Sequence, residues 1–289
     1  MGEKLPNTLV GKIKNLNKIH GVDEKQIEKF IDAIEIEKYI GNDEIKIADL
    51  FCGTDILIKE ALRDLTHKKI YVYLVDMDDE LLRAASSNLR TSLIHHKNIK
   101  IYPSNILLNG KLLSYNDNSM DIVVVKMGLH ETTMESQQRI INDVYRCLRK
   151  GGRLVIWDVF VPRDSRTNED LIGYNRIIKL KDELSGVSHV TKNRYFASEE
   201  EFIGMMKKVQ FQDIKLVHRW KRIWDTLDRL EGEFGGDLNK VHKRNVLIDS
   251  YFNTQEYKRK FSYKITKRNG IEGRSFEIPS GIIRAIKDY

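Results

Sequence analysis

Apolar residues along this chain recur with two different periods. Between Asp23 and Glu37, Ile27, Phe30, Ile31 and Ile34 fall at helical spacing, which predicts an opening amphipathic helix. Short β-rich runs follow: IKIADLF at 45–51, IYVYLVDM at 70–77, IKIY at 99–102, DIVVVKM at 121–127 and RLVIWDVF at 153–160. Helix-type segments separate them, at Ile56 to Leu65, Asp79 to Leu93 and Met134 to Leu148, the last ending in Arg-Lys-Gly-Gly, a C-terminal stop signal. Alternating strands and helices, with the strands apolar throughout, predict a parallel sheet covered on both faces. The expected fold class is α/β, doubly wound.

The tail departs from that rhythm. Ser198 followed by Glu201 is a capping-box signature for a helix over Glu199 to Val209, and FQDIKLVHRW at 211–220 reads as a further strand. Two helical stretches are then expected, Lys221 to Phe234 and Asp237 to Phe252, parted by Gly235 and Gly236, before SGIIRAIK at 280–287 forms the last strand. The chain thus divides into an N-terminal helical cap (1–40), a core (41–220), a helical insertion or lid (221–275) and a closing strand (276–289). Trp224, Leu227, Leu230 and Phe234 give the insertion an apolar face. Trp220, Trp224, Tyr251 and Phe252 suit either core or the wall of a ligand pocket.

Composition narrows the classes. At 289 residues, 41% apolar and 31% charged, the chain can bury a full core. No apolar run approaches the ~18 residues that cross a bilayer, and the polar start lacks the apolar centre of a signal peptide, so no membrane span and a cytoplasmic location are expected. Cys52 and Cys147 stand apart without C-x-x-C spacing, and His95 and His96 have no Cys or Asp nearby, so neither a disulfide framework nor a metal site is expected. The net charge of +7 is unevenly spread: Lys plus Arg against Asp plus Glu is 23 to 23 over residues 1–160 and 26 to 19 over 161–289. Such asymmetry suits scattered solvated side chains, a nucleic-acid surface or a pocket for an acidic ligand.

The segment DLFCGTD, Asp49 to Asp55, joins the first strand to its helix. Ligands of doubly wound sheets bind at the carboxyl ends of the strands near the switch point, where this turn lies. Gly53 permits close backbone approach. Asp55 can cap the helix beginning at Ile56, and its carboxylate disfavours a dinucleotide phosphate there. Asp76 ends the second strand, where a carboxylate can accept both hydroxyls of a ribose; an aspartate in that position also serves as a turn or helix cap. Met77 beside it offers an apolar surface to a flat ring. Asn105 follows the third strand, with a turn-holding role as its alternative. His130, after the fourth strand, is either a base working near neutral pH or a cap and orienting partner for its loop.

Together, the DLFCGTD turn, a second strand ending in VDMD, Ser104-Asn105 after the third strand and a Lys-Gly-Gly turn before the fifth resemble the class I S-adenosylmethionine-dependent methyltransferase family, over residues 40–218 and the final strand. KMGLHE after the fourth strand and NRYFASEEEFIGMMKKVQFQDI before the sixth are most similar to its small-molecule branch, typified by ubiquinone and menaquinone biosynthesis methyltransferases. The resemblance implies a Rossmann-like, mostly parallel seven-stranded sheet and S-adenosyl-L-methionine as cofactor, with S-adenosyl-L-homocysteine as product. It assigns Asp49, Phe51, Cys52, Gly53, Thr54 and Asp55 to the cofactor turn, Asp76 and Met77 to ribose and adenine, Asn105 and Ile106 to the adenine edge, and Lys126 and Met127 to the floor below the sulfonium. Phe51 and Asp55 stand where the family has glycine, and Asp55 either caps its helix or faces the cofactor's ammonium group.

The same resemblance makes His130 the candidate base, although an activated sulfonium can transfer its methyl group with positioning alone. No Asn-Pro-Pro-Tyr or Asp-Pro-Pro-Tyr follows the fourth strand and neither cysteine lies in a Pro-Cys or Thr-Cys motif, which argues against nucleobase amine and covalent cytosine methylation. Three readings stay open: a methyltransferase for a small acceptor, anionic if the basic tail serves it; an RNA methyltransferase or RNA-binding module; and a catalytically inactive partner subunit. The oligomeric state is open, a homodimer included.

Overall fold

The computed structural model describes residues 24–39, 41–54, 57–62, 69–105, 115–162, 169–186 and 192–288, the side chains of 169–172 excepted. The β-branched runs form β1 (Glu44–Leu50), β2 (Lys69–Asp76), β3 (Ile99–Asn105), β4 (Met120–Lys126), β5 (Leu148–Val159) and β6 (Gln212–Asp225), followed by β7 (Lys264–Arg268) and β8 (Ile271–Ile286). They make one sheet in the order β3-β2-β1-β4-β5-β8-β6, with β7 paired to β8. The first five strands are parallel, and β8 runs antiparallel to both of its long neighbours, β5 and β6. The order reverses between β1 and β4, so the connections leaving these two strands diverge and open a crevice at their carboxyl ends.

The helices are α1 (Glu24–Ile34), α2 (Leu57–Leu62), α3 (Asp79–Ser92), α4 (Met134–Cys147), α5 (Glu169–Leu184), α6 (Glu199–Lys208), α7 (Leu230–Phe234), α8 (Leu238–Tyr251) and α9 (Gln255–Lys260). Successive strand residues point to opposite faces. Ile47, Val72, Leu74 and Val124 pack with α1, α2 and α3, while Ala48, Leu50, Val123 and Ile156 pack with α4 and α6. Burial of each such Leu, Ile or Val contributes roughly 1.5–3 kcal/mol. The expected capping box is present: the Ser198 hydroxyl accepts from Glu201 N–H at 3.1 Å, and the Glu201 carboxylate accepts from Ser198 N–H at 2.8 Å.

The doubly wound sheet, its N-terminal helix and the late insertion are as expected; several boundaries differ. The described part of the N-terminal segment covers the sheet face, burying Phe30, Ala33 and Ile34. Just past α1, Glu35 pairs with Arg153 and Arg284, each at 2.8 Å. The Lys-Gly-Gly segment, expected as a helix stop, lies within β5, where the register to β4 is irregular.

Lys221 to Asp225, expected as helix, continue β6: Trp220, Arg222 and Trp224 turn inward while Lys221 and Ile223 are exposed, a period of two. Trp224, Leu227, Leu230 and Phe234 also suit a helical period, which hid the strand. Leu227, Leu230 and Phe234 do share a small cluster, reached through a 3-10 turn at Leu227–Arg229.

β8 likewise starts at Ile271, well before Ser280. β5 ends at Val159, opposite Ser280, whereas the β6–β8 pairing runs on to Asp225 and Ser275. A two-stranded ribbon therefore rises beyond the carboxyl edge of the sheet. Helix α5, which the sequence reading passed over, joins α8 on that ribbon, and Tyr174, Ile177, Ile178, Trp224, Ile248, Phe252 and Phe276 form a second core above the sheet.

The two helices meet closely at Gly173, where a methyl group would collide with the Tyr251 ring. Gly173→Ala should destabilise the fold by about 1–3 kcal/mol through overpacking, read as a lower urea midpoint. An unchanged midpoint would contradict this account of how the second core closes.

Candidate active site

Asp76, buried at the end of β2, stands directly across from Asn105 at the end of β3. Its Oδ1 accepts from the backbone N–H groups of Met77 at 2.8 Å and Asp78 at 3.1 Å, and its Oδ2 accepts from Gly53 N–H at 2.9 Å. Burial pushes the pKa of this carboxyl up, against the pull of the three N–H donors. Three donors leave one lone pair on Oδ2 for a ligand hydroxyl. Asn105 Nδ2 donates to Asp79 Oδ1 at 2.7 Å, and Met77 is 41% exposed at the rim.

The turn after β1 is held at several points. Cys52 N–H donates to Val75 O at 3.1 Å, and Asn88 Nδ2 in α3 donates to Thr54 O at 3.1 Å. Asp49 lies buried at the end of β1. Phe51 and Gly53 are both left-handed, with φ of +56° and +57°. Where a Gly53 side chain would stand the space is open, so its backbone is bare to a ligand. Phe51 bears a left-handed cost of roughly 1–2 kcal/mol that glycine escapes. Its side chain lies against Gly128, where a methyl group would run into the Phe51 Cβ and ring. The departure from glycine at position 51 is thus matched by a glycine in KMGLHE. Asp55 and Ile106 lie outside the described residues.

On the other side of the crevice, Met127 has φ +52° and donates its N–H to Trp157 O at 2.7 Å, and the Lys126 ammonium lies 5.8 Å over the Trp157 ring. His130 follows on a short 3-10 turn, buried and stacked on Phe196 with ring centroids 4.6 Å apart. Its Nδ1 is 2.7 Å from Asp158 Oδ1 and its Nε2 is 3.1 Å from Glu131 Oε1. Burial alone lowers the pKa of the ring, but the charges and hydrogen bonds of Asp158 and Glu131 outweigh it and raise the pKa to about 9. Both carboxylates thus favour the protonated ring, in which each nitrogen donates to one of them. In that form the ring orients its neighbours, and it could take a proton only after losing one of its own.

The residues around it continue as a partly buried chain of charges. Arg194 holds Glu131 through Nε at 2.9 Å and Nη2 at 2.6 Å, and reaches Asp182 through Nη1 at 3.0 Å. Lys181 pairs with Asp182 at 2.6 Å and lies 3.7 Å from Glu233, which also pairs with Arg229. The sequence reading had Glu131 only as His130's neighbour in KMGLHE and missed Arg194, Asp182, Lys181, Glu233 and Arg229. Asp158 had a signal, a lone carboxylate inside the apolar run VIWDVF; Arg194 had none, since Glu131 is 63 residues away.

The profile of the family described as "Methyltransferase domain" matches residues 42–227. A curated relative, the ubiquinone/menaquinone biosynthesis C-methyltransferase UbiE of Blochmanniella floridana, is 29% identical over 182 residues, which cover 59% of this chain and 66% of that protein. For the UbiE of Ruegeria sp. the figures are 29% over 110 residues, 36% and 43%. The chain thus spans less than two thirds of the length of these relatives. A methyltransferase structure from Bacillus halodurans superposes with a TM-score of 0.69 at 17% identity, covering 92% of this chain and 100% of that one. The YcgJ protein of Bacillus subtilis gives 0.68 at 16% identity, with 92% and 100% coverage. At such identities the likeness is one of fold. The family match spans more than half of the chain, and it places the protein in the methyltransferase-domain family, among the class I, S-adenosylmethionine-dependent members whose sheet it shares.

Proposed function

We propose that this chain is an S-adenosylmethionine-dependent methyltransferase acting on a small molecule. One observation carries the reading: Gly53, Asp76 and Asn105, from three separate strand ends, meet at one edge, with Gly53 N–H bonded to Asp76 and Asp76 facing Asn105. The curated relatives, named as C-methyltransferases of quinone biosynthesis, support a small acceptor.

When bound, S-adenosylmethionine would supply a methyl group already activated by its sulfonium. Asp76 would accept from a ribose hydroxyl through its remaining lone pair, Met77 would pack on the adenine and Asn105 would meet its edge, while the bare backbone at Gly53 would allow close approach. Lys126 and Met127 would line the floor toward the acceptor. His130 would fix the loop after β4 through Asp158 and Glu131. The chain's share of the chemistry is then alignment and a dry site.

Calorimetry with S-adenosylhomocysteine tests the reading. The protein should bind it, and Asp76→Ala should weaken binding by ~1.5–3 kcal/mol through lost charge-assisted hydrogen bonds. Absence of binding by the unmodified protein would overturn the proposal.

Gly128→Ala should push the Phe51 ring into the turn and destabilise the protein by about 1–3 kcal/mol, with weaker S-adenosylhomocysteine binding. Adding Phe51→Gly should recover most of both losses, giving a coupling above about 1 kcal/mol in a double-mutant cycle. Simple additivity would show that the two residues do not share the site.

His130 also makes a pH prediction. Its pKa is raised from 6.5 to about 9, so its stabilising contribution is complete below about 6.5 and is lost as pH rises through about 9. His130→Asn should abolish that slope in denaturant midpoints measured from pH 6 to 10. A slope that persists in the variant would place the titration elsewhere. A methyl-transfer rate that rises with pH through the same window, and does so only with His130 present, would restore the base.

A further inference from the structure

Four carboxylates and four cations pair along the charged chain, Glu131, Asp158, Asp182 and Glu233 with His130, Arg194, Lys181 and Arg229, although Asp158 Oδ2 and Glu233 Oε2 have no hydrogen-bond partner among the described residues. Two further guanidinium groups in the same core are left over. Arg244 of α8 is 1% exposed, and its Nε and Nη1 have no hydrogen-bond partner among the described residues. Arg222 of β6 has buried Nε and Nη2 atoms in the same condition, and its Nη1 reaches only the Met127 sulfur, at 3.7 Å. Two neutral donors beside them, Tyr174 Oη and Trp224 Nε1, are also buried and unpartnered.

These groups share one place. The Tyr174 and Trp224 rings are 6.0 Å apart, and the Arg229 and Arg244 guanidinium carbons lie 4.7 and 5.9 Å from the Trp224 ring. Arg222 and Trp224 are two residues apart on one strand and so face the same way. Through Met127, Arg222 borders the floor assigned to the methyl-transfer site. Burial lowers the pKa of both Arg222 and Arg244 to about 10, and the charge of Arg229 adds to the effect in each. Asp158 acts on Arg222, and Glu233 and Asp182 on Arg244, in the opposite sense, yet the guanidinium nitrogens named above still lack a hydrogen-bond partner among the described residues, which is costly for a buried charge.

We infer that Arg222, Arg244, Tyr174 and Trp224 form a binding site for a phosphate group carried by the methyl acceptor. Phosphate fits better than carboxylate because the donors come from three elements, α5, β6 and α8, and two of them are guanidinium groups. The surrounding rings of Phe196, Tyr174 and Trp224 would hold an apolar body attached to that phosphate. The anion site stands on its own geometry; calling its ligand the acceptor rests on the methyltransferase reading.

Calorimetry and thermal unfolding of the full chain, with inorganic phosphate, phenyl phosphate and acetate as probes and saturating S-adenosylhomocysteine present or absent, test this. Phenyl phosphate should bind at least tenfold more tightly than acetate, and more tightly than inorganic phosphate, without displacing S-adenosylhomocysteine. Arg244→Met and Arg222→Met should each weaken phenyl phosphate at least tenfold, keep S-adenosylhomocysteine affinity within twofold, and raise Tm in phosphate-free buffer by removing a buried charge. Arg139→Met, at an exposed site, should leave phosphate binding unchanged.

No phosphate binding by a protein that binds S-adenosylhomocysteine would overturn the anion site and spare the methyltransferase reading. Inorganic phosphate binding more tightly than phenyl phosphate, or competition with S-adenosylhomocysteine, would overturn the assignment to the acceptor. Arginine-dependent phenyl phosphate binding without any S-adenosylhomocysteine binding would keep the anion site and sink the methyltransferase reading.

Discussion

A carboxylate buried at the end of a strand must find donors, and Asp76 finds three of them in the backbone N–H groups of Gly53, Met77 and Asp78. That requirement ties the turn after β1 to the end of β2 and fixes the exit of the chain toward α3. Everything proposed for the cofactor edge depends on it. The turn can hold Phe51 in a left-handed conformation only because Asp76 anchors one side of it and Gly128 clears the other.

The second constraint is electrostatic. Charges with no water to solvate them must neutralise one another, and the chain from Asp158 through His130, Glu131, Arg194 and Asp182 to Lys181 and Glu233 does so across the loop after β4, α5 and α7. It links the floor of the methyl-transfer site to the insertion by directional contacts. Apolar packing alone would leave the second core free to shift against the sheet. Arg222 and Arg244 stand beside this network with guanidinium nitrogens that have no hydrogen-bond partner among the described residues.

Geometry explains why the insertion sits where it does. β6 and β8 continue their pairing past the end of β5, so the ribbon carries Arg222 and Trp224 above the carboxyl edge instead of beside it. The helices need no long loop to reach the crevice. They are mounted on strands of the same sheet, with Gly173 allowing α5 and α8 to meet.

The sequence by itself determined the layered fold, because buried parallel strands must be apolar on both faces and their connecting helices on one; the runs at 45–51, 70–77 and 121–127 could be little else. It also determined which strand ends hold Gly53, Asp76 and Asn105, since turn chemistry is local. Local pattern failed where two periods overlapped, as at Lys221 to Asp225, where Trp224, Leu227 and Phe234 served a helix as well as Trp220, Arg222 and Trp224 served a strand. His130 was visible as a residue, but the carboxylates that favour its protonated form are Asp158, 28 residues away, and Glu131, held in turn by Arg194. Whether a side chain is an acid, a base or a strut depends on which charges folding brings within a few ångströms of it and how much water it removes. Only the tertiary structure decides that, because neither quantity is a property of neighbours in the chain.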